Sequence, residues 1–133
     1  MVEMRLQTLK INDTGDRQYI GLSEVGGARE LTIVIGYSEV QAIDRFLKDV
    51  RPPRPMTHEL VSNLIEATGS RVERVDITEL RGGTFFAMIR RERPDGTLAE
   101  VDARPSDAIA LATALKAPIY VSDEVLREAA TPD

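Results

Sequence analysis

The chain has 133 residues, 42% of them apolar and 29% charged, which is typical of one globular domain and excludes a disordered segment or a fibre. Its 17 basic and 22 acidic side chains give a net charge of −5, which excludes a generally basic nucleic-acid coat, so any nucleic-acid contact needs a local basic patch. The absence of cysteine excludes disulfides, zinc–thiolate sites and cysteine nucleophiles, and it is consistent with a cytoplasmic protein.

Three strands are predicted at the start of the chain. Apolar and polar positions alternate up to about Ile11, over 18–23 and over 29–35, and turn residues rich in Gly, Asn and Asp separate these stretches. Because the three strands are close in sequence, we expect them to pair in antiparallel fashion.

Two helices are predicted next. Ser38 is the expected cap of the first helix, and its apolar stripe consists of Val40, Ile43, Leu47 and Val50. The proline-rich segment 51–55 ends that helix. Thr57 is the expected cap of the second helix, whose apolar face consists of Leu60, Val61, Leu64 and Ile65.

The remainder of the chain predicts three more strands, over 72–80, 84–91 and 98–103. A helix that begins at Pro105 and reaches about Lys116 follows, then a short strand over 119–121 and a last helix capped by Ser122. Since strands come in groups rather than alternating with helices, we predict an α+β fold. The expected architecture is one compact domain over 1–133, with a mixed, mainly antiparallel sheet and about four helices.

The helix after Pro105 is apolar on every side over 108–112, and such a helix is buried all round. In a small domain, one side of a buried helix is often covered by a second subunit. We therefore expect a homodimer or a higher homo-oligomer, and burial within one chain is the alternative. No apolar run approaches the roughly 18 residues of a membrane span, and the first residues lack the apolar stretch of a signal peptide, so no membrane contact is expected.

His58 is the only histidine, and it lies in the sequence RPMTHEL. Because histidine titrates near neutral pH, His58 is a candidate general base or acid, with Arg54 and Glu59 beside it. The structural alternative is an ordinary helix start in which Thr57 caps, Glu59 interacts with the helix dipole and His58 fills the first turn.

A second candidate site lies in the segment EVDARPSD at 100–107. Glu100 and Asp102 are two residues apart on a strand and therefore share a face, and Asp107 lies at the start of the next helix. Three converging carboxylates could hold a divalent cation, while Arg104 and the helix N-terminus could hold a phosphate. Alternatively, Asp102 and Asp107 only neutralise Arg104.

Arginines occur in groups, which suggests contact with a phosphate backbone or, alternatively, a solvated face that balances the many glutamates. The groups are Arg51 and Arg54; Arg71, Arg74 and Arg81; and Arg90, Arg91 and Arg93.

Five stretches together resemble the bifunctional nuclease domain family, formerly a domain of unknown function. They are LTIVIGYSEVQAI at 31–43, RPPRPMTHELVSNLIEATG at 51–69, LRGGTFFAMI at 80–89, EVDARPSDAIALA at 100–112 and APIYVSDEVL at 117–126. The resemblance covers about 110 residues in the same order and implies an α+β fold, a bacterial cytoplasmic setting and frequent oligomers. It also implies nuclease activity on DNA and RNA, because plant relatives are credited with both. The matching residues able to do chemistry are Glu39, Arg54, His58, Glu59, Asp102, Arg104 and Asp107.

With this resemblance, the acid–arginine–acid cluster predicts a phosphodiesterase that cleaves DNA and RNA without strong sequence preference. Asp102 and Asp107 would bind Mg²⁺ or Mn²⁺, and His58 would activate water that Glu59 orients. Arg54 and Arg104 would steady the scissile phosphate and the charge that develops on it. The alternative is a non-catalytic, oligomeric binding or regulatory module in which the same motifs build the fold and the subunit interface. A small-ligand sensor at the same cleft is a third possibility.

Overall fold

The fold is taken from a computed structural model that describes residues 1–15 and 17–130. Its elements follow in the predicted order of three strands, two helices, three strands, a helix, a strand and a helix. They are β1 (Val2–Lys10), β2 (Gln18–Glu24), β3 (Glu30–Ile35), α1 (Tyr37–Lys48), α2 (Thr57–Ala67), β4 (Arg71–Arg81), β5 (Thr84–Glu92), β6 (Leu98–Ala103), α3 (Pro105–Leu115), β7 (Ile119–Val121) and α4 (Asp123–Ala129).

All seven strands form one sheet in the order β3-β2-β1-β7-β4-β5-β6. Every neighbouring pair is antiparallel except β4 and β7, which are parallel. The short strand β7 joins the two antiparallel halves, because it pairs with β1 on one side and with β4 on the other. The prediction of an α+β domain with a mixed, mainly antiparallel sheet and four helices is confirmed.

Helix α3 lies at the centre of the fold. It contacts β4 and β5 of the sheet as well as α1 and α2, and its residues 108–112 are buried. Burial within one chain therefore accounts for its apolar character, and the argument for a subunit interface on α3 was wrong. The expectation of a homo-oligomer has lost that support and stays a prediction.

The helix starts differ in part from the sequence prediction. Gly36 and Met56 are the extended residues that precede α1 and α2, and neither helix has a side-chain cap. The expected caps Ser38 and Thr57 were wrong because both residues already lie inside the first turn. Pro105 does begin α3, and Ser122 does cap α4 by accepting a hydrogen bond from the Val125 amide.

Part of each predicted apolar stripe is exposed. Val40 and Ile43 of α1 are buried, whereas Leu47 is 55% exposed, and on α2 Leu60 and Leu64 are 50% and 54% exposed. Helix α2 thus covers α3 while leaving a row of apolar side chains on its outer side. Among the residues that the structure describes, no helix has both the length and the apolar character that a membrane crossing requires.

Candidate functional site

The first turns of three helices meet at one cleft. Glu39 is the third residue of α1, His58 the second residue of α2 and Asp107 the third residue of α3. They come together because α1 and α2 both pack against α3. One ligand atom from each side chain lies within 4.8 Å of the other two. The cleft has a volume of about 560 Å³, and these three residues line it together with Arg104.

His58 is fixed by Asp107. The imidazole is 9% exposed, and its Nε2 lies 2.8 Å from Asp107 Oδ1. Because an ionised carboxylate only accepts hydrogen bonds, Nε2 carries the proton in this contact. The bond sets both the tautomer and the orientation of the ring, so the structure brings together two of the predicted site residues that are 49 positions apart in the chain.

Arg104 lies across the two carboxylates of the cleft. Its Nε and Nη2 each lie 2.9 Å from Asp107 Oδ2, and Nη2 lies 3.3 Å from Glu39 Oε2. Arg104 is the extended residue that precedes Pro105, and this backbone is what a residue before proline favours. The Asp107 carboxylate, and after it Glu39, raises the pKa of the guanidinium.

The helix termini give the cleft a fixed polarity. Each α-helix leaves backbone N–H groups unpaired in its first turn and carries a partial positive charge there. Three such ends converge here, and the acids in the first turns of α1 and α3 partly balance them. The arrangement suits bound anions, phosphate groups included.

The donor set also fits a divalent cation. One imidazole nitrogen and two carboxylates are ligands that first-row metals accept, at about 2.0–2.2 Å. The three ligand atoms already lie within 4.8 Å of one another, so a small contraction would let one ion contact all of them. Mg²⁺ prefers oxygen alone, and the imidazole therefore favours Mn²⁺ over Mg²⁺.

Gly36 makes room for one member of this group. The carboxylate of Glu39 folds back over Gly36, and a Cβ at that position would collide with Glu39 Oε1. The backbone of Gly36 has a φ of −79°, which any residue can adopt. Glycine is therefore required for the placement of Glu39 rather than for the chain conformation.

Asp102 was predicted as a metal ligand, and the structure places it differently. It borders the cleft but is not part of the group formed by Glu39, His58 and Asp107. In the sheet it pairs with Met88, whereas the next residue, Ala103, pairs with Ala87 of the core. Alternation therefore places Asp102 on the sheet face opposite to that of Ala103, so Asp102 reaches the cleft only at its border.

Glu100 does share the face of Asp102, as its spacing predicted, because it pairs with Arg90 on that side of the sheet. The carboxylate of Glu100 lies 3.8 Å from the Arg90 guanidinium rather than in the cleft. The three carboxylates predicted to converge are therefore not brought together. Among the described residues, the second acid beside Asp107 is Glu39.

Glu59 was predicted to orient a water for His58, and its carboxylate is engaged elsewhere. Its two oxygens accept hydrogen bonds from Arg45 Nε and Nη2 at 2.8 and 3.0 Å. Arg45 holds the pKa of Glu59 below its ordinary value. This pair ties α2 to α1 one residue after His58, so it positions the histidine. A catalytic role for Glu59 stays a prediction.

Four of the eight arginines in the predicted groups pair with acids on the sheet, as the solvated-face alternative expects. The pairs are Arg71–Glu92, Arg74–Asp76, Arg81–Glu79 and Arg90 with Glu73 and Glu100. Arg54 is exposed, lies before α2 and is not among the residues that line the cleft. Its predicted contact with phosphate stays a prediction.

Glu39 is the residue that the assignment of roles missed. It lies in a stretch that carries the family resemblance, and its position in a first turn is the one that Asp107 also has. Each of the three cleft residues lies in the first turn of a predicted helix. That shared position was the available signal.

A family comparison agrees with this geometry. The sequence profile of the bifunctional nuclease domain matches residues 20–133, which include the first turns of all three helices. The chain belongs to the bifunctional nuclease domain family.

Two uncharacterized proteins of Mycobacterium tuberculosis, from strains CDC 1551 / Oshkosh and ATCC 25618 / H37Rv, are each 39% identical over 129 residues, covering 97% of this chain and 76% of the relative. The protein named bifunctional nuclease 1 of Oryza sativa subsp. japonica is 26% identical over 127 residues, covering 93% of this chain and 38% of the rice protein.

Proposed function

We propose that this member of the family is a metal-assisted nuclease that hydrolyses phosphodiester bonds of DNA and RNA without strong sequence preference. The observation that supports it best is the group of Glu39, His58 and Asp107, which lies beside Arg104 where three helix N-termini converge. The name of the rice relative gives independent support.

Each group has a role in this proposal. Glu39, Asp107 and the imidazole of His58 would hold the cation, so Glu39 takes the place first assigned to Asp102. A bound divalent cation supplies polarisation of the phosphodiester and a water of lowered pKa. Arg104 and the amide groups of the helix N-termini bind the phosphate oxygens and stabilise the charge that develops on them. The buried side of the imidazole limits the entry of other water.

A second mechanism at the same cleft is favoured by the 2.8 Å contact between His58 and Asp107. Here Asp107 orients the imidazole, and His58 acts as the general base that the sequence predicted, with no cation. The two mechanisms differ in one measurable respect, because a chelator stops the first and leaves the second unchanged.

A non-catalytic binding or regulatory module is the alternative function. The observation that favours it is the pairing of both cleft acids with Arg104, which neutralises part of their charge without any ligand. In such a module the cleft would bind a phosphorylated ligand and release it unchanged.

The experiment is a cleavage assay on end-labelled single-stranded DNA and RNA of the same sequence. Protein from a size-exclusion peak is incubated with Mn²⁺, with Mg²⁺ or with EDTA, and His58→Ala and Arg71→Gln are assayed in parallel. We expect both substrates to be cut with Mn²⁺, Arg71→Gln to match the wild type, and EDTA or His58→Ala to stop cleavage. Binding without cleavage under all conditions would contradict the nuclease and support the module.

The setting proposed for this activity is the bacterial cytoplasm, with the protein as a homodimer or a higher homo-oligomer. The half-exposed Leu60 and Leu64 on the outer side of α2 are the features that support a contact between copies. Light scattering on the size-exclusion peak measures the mass in solution, and a monomer would contradict the oligomer.

A further inference from the structure

We propose that Arg104 is an internal counter-ion that leaves Glu39 and Asp107 when a divalent cation binds, and that its guanidinium then binds the phosphodiester of the substrate. The inference rests on the proposed function, because it concerns the same cleft. It assigns a regulatory role to Arg104, since cation and substrate would then bind cooperatively.

The guanidinium occupies one oxygen of each carboxylate that a cation would bind. Arg104 contacts Asp107 Oδ2 through two nitrogens and Glu39 Oε2 through one of them. The same two carboxylates, with His58, form the group that could hold a metal ion. A dication bound to these carboxylates would repel a guanidinium at hydrogen-bond distance from them, so its binding favours the departure of Arg104.

The carboxylates are fixed, whereas the arginine is free to move. The side chain of Glu39 is 12% exposed, and both acids belong to first turns of helices packed against the core. The side chain of Arg104 is 65% exposed, and Arg104 is the extended residue at the edge of the cleft, before the first turn of α3. Exchange with a cation therefore needs only a rotation of Arg104 into solvent, with no change in the fold.

The charge of the cleft changes sign on exchange. The two carboxylates and one guanidinium carry a net charge of −1, which weakens the attraction of the helix N-termini for a phosphodiester. Adding a dication brings the sum to +1, and Arg104 no longer shares its charge with the acids. A cleft of this charge attracts a phosphodiester of charge −1, so cation binding promotes substrate binding.

The test measures Mn²⁺ binding by titration calorimetry and by the loss of the free-ion electron paramagnetic resonance signal. The variants are Arg104→Gln and, as a matched control, Arg71→Gln, because the Arg71 side chain is 66% exposed and pairs with Glu92 away from the cleft. Asp107→Asn identifies the site. Each protein is measured alone and with a hydrolysis-resistant phosphorothioate dinucleotide.

We expect Arg104→Gln to bind Mn²⁺ roughly tenfold more tightly than the wild type, the size typical of coupling between adjacent sites. The dinucleotide should strengthen Mn²⁺ binding in the wild type and in Arg71→Gln but not in Arg104→Gln. Mn²⁺ binding by Arg104→Gln alone, with none by the wild type, would also support the exchange. Equal or weaker binding by Arg104→Gln, with Asp107-dependent binding by the wild type, would overturn the role of Arg104 and leave the proposed metal site intact. Absence of Mn²⁺ binding in every variant would overturn both.

Discussion

Two arginine–carboxylate pairs lie near the start of α2. Their contacts and exposure differ in a way that suits one pair to holding the fold together and the other to binding a ligand. In the Arg45–Glu59 pair, two nitrogens bind two oxygens, and the side chains are 17% and 15% exposed. In the Arg104–Asp107 pair, both nitrogens bind one oxygen, and the side chains are 65% and 32% exposed. The first pair leaves no oxygen of the carboxylate without a partner, so it is suited to hold two helices together.

The second pair shares its groups with other residues. Asp107 offers its remaining oxygen to His58, and Arg104 reaches a second acid, Glu39. An arginine that binds two acids and faces solvent can be displaced from them by a cation. An arginine that is half-enclosed and binds both oxygens of a single acid is held more firmly. The adjacent residues His58 and Glu59 of α2 therefore have different roles in this account. His58 belongs to the proposed active site, and Glu59 holds two helices together.

The largest effect is expected from Asp107→Asn, which removes the negative charge that the Arg104–Asp107 pair depends on. Cleavage should fall by at least about 100-fold, since the amide keeps the shape but loses both the cation ligand and the anchor of His58. Single-turnover rates on a labelled oligonucleotide measure the loss, and circular dichroism establishes that the variant is folded. Activity close to that of the wild type would remove Asp107 from the mechanism.

A smaller loss of Mn²⁺ affinity and cleavage is expected from Gly36→Ala, which acts on the cleft only by displacing Glu39, the second acid that Arg104 contacts. The new methyl group would occupy the space of the Glu39 carboxylate and push it away from the cleft. Alanine adopts the same backbone and costs about 1 kcal/mol at this N-cap position. The fold should therefore persist while Mn²⁺ affinity and cleavage fall roughly tenfold. Gly27→Ala is an informative control, because its new methyl group would collide with the Glu24 carboxylate, far from the cleft. Equal losses in both variants would point to a general effect on the fold.

Glu59→Gln tests the Arg45–Glu59 pair, and it should change the stability of the fold more than the rate of cleavage. We expect a loss of about 1–2 kcal/mol in the free energy of unfolding, reduced by partial exposure of the pair. Since Arg45 lowers the pKa of Glu59 from 4.5, the pair stabilises the fold above that pH, and its contribution is lost as the pH falls through the folded-state pKa. Urea titrations should therefore differ at pH 7 and converge in acid. A cleavage loss as large as that of Asp107→Asn, in a folded variant at pH 7, would restore the predicted catalytic role.

The smallest effect is expected from Asp102→Asn. Its carboxylate belongs to neither pair, and Asp102 lies at the border of the cleft outside the group of Glu39, His58 and Asp107. Cleavage and Mn²⁺ affinity should stay within about twofold of the wild type, as for surface changes away from a site. A loss similar to that of Asp107→Asn would return Asp102 to the metal site.

The order of elements was predictable because periodicity and turn residues are local signals, and Pro105 and Ser122 show that some helix starts are local as well. The pairing of β7 with both halves of the sheet is not local, and neither is the choice of partners at the site. The structure brings the candidates His58, Asp107 and Arg104 together at one cleft, and their roles stay predictions. The role of Glu39 could not be separated from that of Glu59, because only the packing of α1 and α2 against α3 decides which acid faces His58.

The most direct test of this account is the anomalous scattering of Mn²⁺ in crystals of the protein. The account predicts one strong peak between Glu39, His58 and Asp107, with the Arg104 guanidinium moved away from both carboxylates and the Arg45–Glu59 pair unchanged. A peak elsewhere, or Arg104 still bound to both acids in the presence of saturating Mn²⁺, would contradict it.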